Sequence, residues 1–145
     1  VSTIRRSAIV PYSDHEMYAL VADIASYPKF LPWCSETRIL QQREDMVEAA
    51  IVMGYRGVHK SFTTRNLLQK DKMMEIRLVE GPFRYLHGCW RFTPLADRAS
   101  KVELDLEFEV ANRVLSAVMT PVFSTIASQL VDAFHARAVE LYGKR

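Results

Sequence analysis

Residues 102 to 110, V-E-L-D-L-E-F-E-V, set Val102, Leu104, Leu106, Phe108 and Val110 against Glu103, Asp105, Glu107 and Glu109 in strict alternation. A period of two puts the five apolar side chains on one face of a strand and the carboxylates on the other. Read the same way, the chain predicts strands over 2–10, 36–43, 46–55, 58–69, 73–80, 86–94 and 100–110, punctuated by R-E-D, G-Y-R-G, K-D-K, G-P-F and A-D-R-A-S. Connections this short between successive strands imply an antiparallel meander.

The helical period appears twice. Pro11 ends the first strand, and Ser13 followed by Glu16 is a capping-box signature for a helix with Met17, Leu20, Val21 and Ile24 on one face. From about Asn112 to Tyr142, Leu115, Met119, Val122, Ile126, Leu130, Phe134 and Leu141 recur at helical spacing, with Val118, Phe123 and Ala138 widening the stripe. Pro121 removes one backbone hydrogen bond from that pattern, so a kink or break is expected there. A sheet dry on one face must bury it, and this helix is the long candidate partner. The prediction is an α+β chain, with a curved antiparallel sheet wrapped around a long C-terminal helix. No repeat or linker-like shift divides residues 1–145, which read as one domain.

Composition adds bounds rather than direction. The 145 residues are 49% hydrophobic and 25% charged, with a formal net charge of +2. These are ordinary globular proportions, and that charge does not announce a nucleic-acid binder. Cys34 and Cys89 form no C-x-x-C pair and read as reduced thiols of a cytoplasmic protein. No apolar run approaches the ~20 residues of a membrane span, and Arg5 and Arg6 sit inside an apolar alternation, so the chain reads as not exported.

A helix laid on a wide curved sheet leaves room that is either filled by side chains or kept as a pocket. Phe62, Trp90, Phe92, Phe108, Phe123, Ile126 and Leu130 fall at inward positions and are the expected lining. Two proline-bearing apolar segments flank the same gap: Y-P-K-F-L-P-W-C at 27–34, with Tyr27, Phe30 and Trp33, and V-E-G-P-F-R-Y-L at 79–86, with Pro82 and Phe83. They read either as the gate of an apolar-ligand site or as caps on the core. Thr64 and Asn66 share parity with Phe62. They offer a polar handle inside the gap, or else point outward or bond to a neighbouring loop.

Catalytic and metal patterns are missing from the sequence. His15, His59, His87 and His135 have no ligand-like spacing, and neither a phosphate loop nor a G-x-S-x-G turn occurs. Parity puts His87, Cys89 and Arg91 on the outer face, without an enclosing pocket. Arg65, Arg77 and Arg91 fall at outward positions on three consecutive strands and are the candidate RNA contacts. Glu75, Glu103, Asp105 and Glu107 share that parity, so the alternative is a face of solvated ion pairs. A third reading sets Phe30, Leu31, Trp33, Phe83 and Tyr85 against a membrane surface, with Lys29 and Arg84 on anionic head groups.

The segments V-P-Y-S-D-H-E-M-Y, Y-P-K-F-L-P-W-C, K-S-F-T-T-R-N, L-V-E-G-P-F-R-Y-L-H-G-C-W-R-F-T-P, L-D-L-E-F-E-V and V-D-A-F-H-A-R-A occur in order. Over essentially its whole length the chain resembles the START-like family that joins the mitochondrial coenzyme-Q-binding proteins to the bacterial ribosome association toxin RatA. The resemblance implies a helix-grip (START-like, Bet v 1-like) fold that some relatives use as cyclases or hydrolases. It implies two activities. One is non-enzymatic binding of ubiquinone or another polyprenyl quinone, in support of respiratory electron transfer, with no cofactor required. The other is binding of the large (50S) ribosomal subunit to block subunit joining. Fold alone does not choose between them. The expected location is cytoplasmic, or peripheral at the inner membrane for a quinone carrier.

Overall fold

The structure, a computed structural model, describes residues 1–96 and 98–145; Asp97, within the predicted A-D-R-A-S turn, lies outside the described residues. Seven strands, β1 (Ser2–Val10), β2 (Cys34–Arg43), β3 (Met46–Tyr55), β4 (Val58–Gln69), β5 (Met73–Glu80), β6 (Phe83–Ala96) and β7 (Ala99–Val110), form one antiparallel sheet. Its order is β1-β7-β6-β5-β4-β3-β2, so β2 to β7 are the predicted meander and β1 closes onto β7.

Chain travel from one edge of the sheet to the other falls to residues 11–33. Helix α1 (Asp14–Ala22) opens with the predicted capping box, in which Ser13 Oγ accepts from Glu16 N and Glu16 Oε1 accepts from Ser13 N. A 3-10 turn over Ile24–Lys29 follows and holds Pro28. Thr37 Oγ1 donates to the Ile24 carbonyl, fixing this turn to β2. The proline-rich segment is therefore a packed connection, with Leu31 1% exposed and Tyr27 7% exposed.

Strand parity holds where it was cleanest: Val102, Leu104, Leu106, Phe108 and Val110 are all buried. Two strand starts differ from expectation. Cys34 pairs with Met53 across β2 and β3, and Phe83 pairs with Val110 across β6 and β7. Only Gly81 and Pro82 make the turn into β6. Gly81 has φ +153°, and a Cβ there would lie 2.5 Å from that of Phe62 and 3.2 Å from its Cα, so a glycine lets the turn pass close against β4.

The C-terminal segment is two helices, α2 (Arg113–Ser128) and α3 (Leu130–Tyr142), bent by 42°. The break falls at Gln129, not at Pro121, which lies within α2. Thr125 Oγ1 donates to the Pro121 carbonyl and Ser128 Oγ to the Thr125 carbonyl. Hydroxyls that bond back onto helix carbonyls bend a helix, and two such bonds precede the break. No single helix among the described residues is long and apolar enough to cross a membrane, although the bent pair together reaches that length and apolarity.

Candidate functional site: a cavity between sheet and helices

A cavity of about 80 Å³ lies between the concave face of the sheet and the two C-terminal helices. Ile51, Phe62, Thr64, Asn66, Met74, Ile76, Leu86, Trp90 and Leu106 line it from β3 to β7. Phe123, Ile126, Ala127, Leu130 and Phe134 close it from α2 and α3, and Ile24, Tyr27 and Trp33 from the connection. Gly88 deepens the floor between Leu86 and Trp90. A Cβ there would come 2.7 Å from Leu106 Cδ1 and 3.4 Å from Ile76 Cδ1, both on cavity-lining residues.

Seven of the expected residues border this space: Tyr27, Trp33, Phe62, Trp90, Phe123, Ile126 and Leu130. Five do not. Phe83 and Phe108 pack edge-to-face with one another and with Phe123, with ring centroids 4.7–6.3 Å apart, in an aromatic cluster beyond the cavity wall. Phe83 is 5% exposed because β6 begins at this residue and turns it inward, which makes it core rather than gate. Pro82 stays in the turn above. Phe92 stacks on Trp90 and meets Tyr18 of α1. Phe30 stands behind Tyr27 and Phe134 with the Arg137 guanidinium over its ring.

Pattern reading omitted Ile24, Ile51, Met74, Ile76, Leu86, Leu106, Ala127 and Phe134 from the lining. Parity carried a signal for Leu86 and Leu106, and the helical stripe for Phe134. Nothing local distinguished these residues from ordinary core.

A second pocket beside the cavity is lined by Leu31, Pro32, Trp33, Tyr55, Ile126, Gln129, Leu130 and Ala133. Trp33, Ile126 and Leu130 border both spaces. Of the two segments predicted to flank the gap, 27–34 borders the cavity through Tyr27 and Trp33, and 79–86 reaches it only through Leu86. Pockets that enclose drug-sized ligands run to ~300–1,000 Å³, so this cavity has to widen to take one.

The lining among the described residues holds no Asp, Glu, His, Lys, Arg or Cys. Its one titratable group, the Tyr27 hydroxyl, donates to the Val21 carbonyl, and burial raises its pKa. Burial likewise pushes the Cys34 thiol up to about 11 and raises that of Cys89. No cluster of three or more metal-ligating side chains occurs among the described residues. Polar character comes from Thr64 and Asn66, each 2% exposed. Asn66 Nδ2 donates to the Val47 carbonyl at 3.0 Å and to Thr64 Oγ1 at 3.1 Å.

On the convex face Arg65, Arg77 and Arg91 are exposed, as parity predicts, but each is tied to a carboxylate. The pairs are Arg65–Glu48 at 3.0 Å, Arg77–Glu75 at 2.9 Å and Arg91–Asp105 at 2.8 Å. Hydrogen bonds from Arg77 and His87 hold Glu75 below its ordinary pKa. The predicted membrane-facing set is also dispersed. Leu31 and Phe83 are core, and Arg84 is spent on Glu109 and the Ala111 carbonyl. Tyr85 is exposed, but so are Ile9, Leu40 and Leu95 elsewhere on the sheet and Val114 and Val118 on α2, so exposed apolar surface is not gathered at the predicted loops.

Comparison with known proteins places this geometry. The chain is 43% identical over 142 residues to a protein of Escherichia coli (strain K12) named ribosome association toxin RatA, covering 98% of this chain and 90% of that one. It is 28% identical to a Xenopus laevis protein named coenzyme Q-binding protein COQ10 homolog B, mitochondrial, over 96% of this chain and 59% of that one. A START superfamily protein from Mycobacterium smegmatis shares the fold with a TM-score of 0.79 at 19% identity, over 96% of this chain and 98% of that chain. Residues 10–135 match the family described as polyketide cyclase / dehydrase and lipid transport, and the chain belongs to that family with a START-like fold.

Proposed function

We propose that this cytoplasmic protein binds an apolar ligand between its sheet and its C-terminal helices, and that the ligand is an isoprenoid quinone of the ubiquinone class. The observation that carries this reading is a cavity between sheet and helices with a mostly apolar wall and one polar corner. A wall without a free acid, base or nucleophile supports binding rather than chemistry on the ligand. Ubiquinone is named because a relative over 96% of this chain bears the name of a coenzyme-Q-binding protein.

Native mass spectrometry of the protein purified from its own cytoplasm, with organic extraction of what it carries, tests this. The expected result is a polyprenyl quinone near one per chain. An empty protein that also fails to take up added short-chain ubiquinone would sink the reading.

A second reading is association with the large (50S) ribosomal subunit, favoured by a relative at 43% identity named for ribosome association. Phosphates would then have to draw Arg65, Arg77 and Arg91 away from their carboxylates, an exchange that exposed ion pairs permit because each contributes only ~0–1 kcal/mol. The expected outcome is co-sedimentation with 50S subunits that weakens with salt and is lost on reversal of all three to Glu. Co-sedimentation that survives the reversal removes the convex face as the contact.

A further inference from the structure

The amide of Asn66 has a determined orientation. A carbonyl only accepts, so the side-chain atom 3.0 Å from the Val47 oxygen must be nitrogen. That nitrogen spends its second hydrogen on Thr64 Oγ1, and Asn66 Oδ1 receives no hydrogen bond from the described residues. Among those residues no side-chain oxygen or nitrogen sealed from solvent is left without a partner. Oδ1 therefore opens onto the cavity that Asn66 lines. Thr64 Oγ1 already accepts from Asn66, so its own proton is free to donate. Residues two apart on β4 thus leave one acceptor and one donor side by side on a mostly apolar wall.

A hydroxyl answers both groups, accepting from Thr64 while donating to Asn66. A quinone carbonyl answers only Thr64 and turns its lone pairs toward Oδ1, leaving a buried acceptor unpaired. Water can make the same two bonds as a hydroxyl, so a ligand that displaces it with a carbonyl gives up one of them. Resting on the apolar-ligand reading above, we propose that Thr64 and Asn66 form a hydroxyl-selective corner, and that the protein prefers the reduced, quinol form of an isoprenoid quinone to the quinone. The cavity of about 80 Å³ has to widen before a ring reaches this corner, and both redox forms share that requirement.

Equilibrium dialysis of the whole chain under anaerobic conditions, with ubiquinol and ubiquinone carrying a single isoprene unit as probes, tests the inference. The expected result is about tenfold tighter binding of the quinol, the scale of one buried acceptor left unpaired. Asn66→Leu should remove that preference. Equal or tighter binding of the quinone overturns the inference and leaves the apolar-ligand reading standing. A quinol preference that persists in Asn66→Leu overturns the assignment to Asn66. Failure of both probes to bind overturns both readings. The ratio in the unsubstituted protein is decisive by itself, even if the variant does not fold.

Discussion

Glu16 is held from two sides: Oε1 accepts from Ser13 N at 2.9 Å and from one Arg145 nitrogen at 2.7 Å, while Oε2 accepts from another at 2.9 Å. Hydrogen bonding to the Arg145 guanidinium is the main cause that takes its carboxyl down to about 2. A group whose folded pKa lies below its unfolded value stabilises the fold above the unfolded value, and that contribution is lost as pH falls through the folded one. Thermal melts of Arg145→Ala should therefore fall below those of the parent above about pH 4.5, with the gap closing toward pH 2. A gap that stays constant across that range would show that Arg145 acts by covering Tyr12 and Tyr142, over which its guanidinium lies 5.0 and 6.0 Å from the ring centroids. Gly88 carries another residue-scale prediction. In Gly88→Ala the new methyl pushes Leu106 Cδ1, the end of a flexible side chain, toward the cavity. Uptake of short-chain ubiquinone should drop sharply while denaturant stability changes by about 1–2 kcal/mol, the range of modest overpacking.

At the scale of elements, the two proline-bearing segments looked alike in sequence and have different fates. The first stays a connection because Pro28 sits in a 3-10 turn and Pro32 interrupts the run before β2. Its Trp33 carbonyl accepts from Gly54 N at 2.8 Å, so the backbone is pinned to β3 where the residue borders the cavity. The second is drawn into β6 by pairing with β7, which buries Phe83. Trp33→Asp should weaken ligand uptake tenfold or more at a stability cost of about 1–2 kcal/mol, since the ring is half-buried. Phe83→Asp should instead cost at least about 3–5 kcal/mol, because it empties an aromatic cluster and buries a carboxylate. Chemical denaturation beside a binding assay separates the two, and similar behaviour of both variants would return Trp33 to the core. The bend in the helical segment was equally half-legible. Periodicity gave the apolar stripe, but Pro121 was the visible breaker, whereas the hydroxyls of Thr125 and Ser128 act only through the carbonyls they reach in three dimensions.

For the whole molecule, a net charge of +2 hides the arrangement that matters. Arg65 lies directly opposite Arg77 across β4 and β5, and Arg77 opposite His87 across β5 and β6. Carboxylates from the same face sit among them, so the convex surface is a mesh of pairs rather than a bare cationic stripe. The concave side has the opposite character, with one polar corner in an apolar wall. The sheet thus separates a charged exterior from a chamber in which an unpaired hydrogen-bonding group has large consequences.

Local rules were enough for the strands, the capping box, the faces that go inward and the α+β arrangement, because each depends on spacings of a few residues that backbone geometry fixes. They gave Thr64 and Asn66 the parity of Phe62 but left their placement open, and the tertiary structure put both on the cavity wall. Tertiary structure alone decided that Tyr27, Trp33, Phe62, Trp90, Phe123, Ile126 and Leu130 meet around a space while Phe30, Pro82, Phe83, Phe92 and Phe108 do not. It alone decided that the helices part at Gln129, and that Asn66 spends both its hydrogens on β3 and β4 and leaves an oxygen for something else. A void is what remains between surfaces brought together from distant parts of a chain, so its position depends on the curvature of the sheet and the seating of α2 and α3, which no short window of sequence contains.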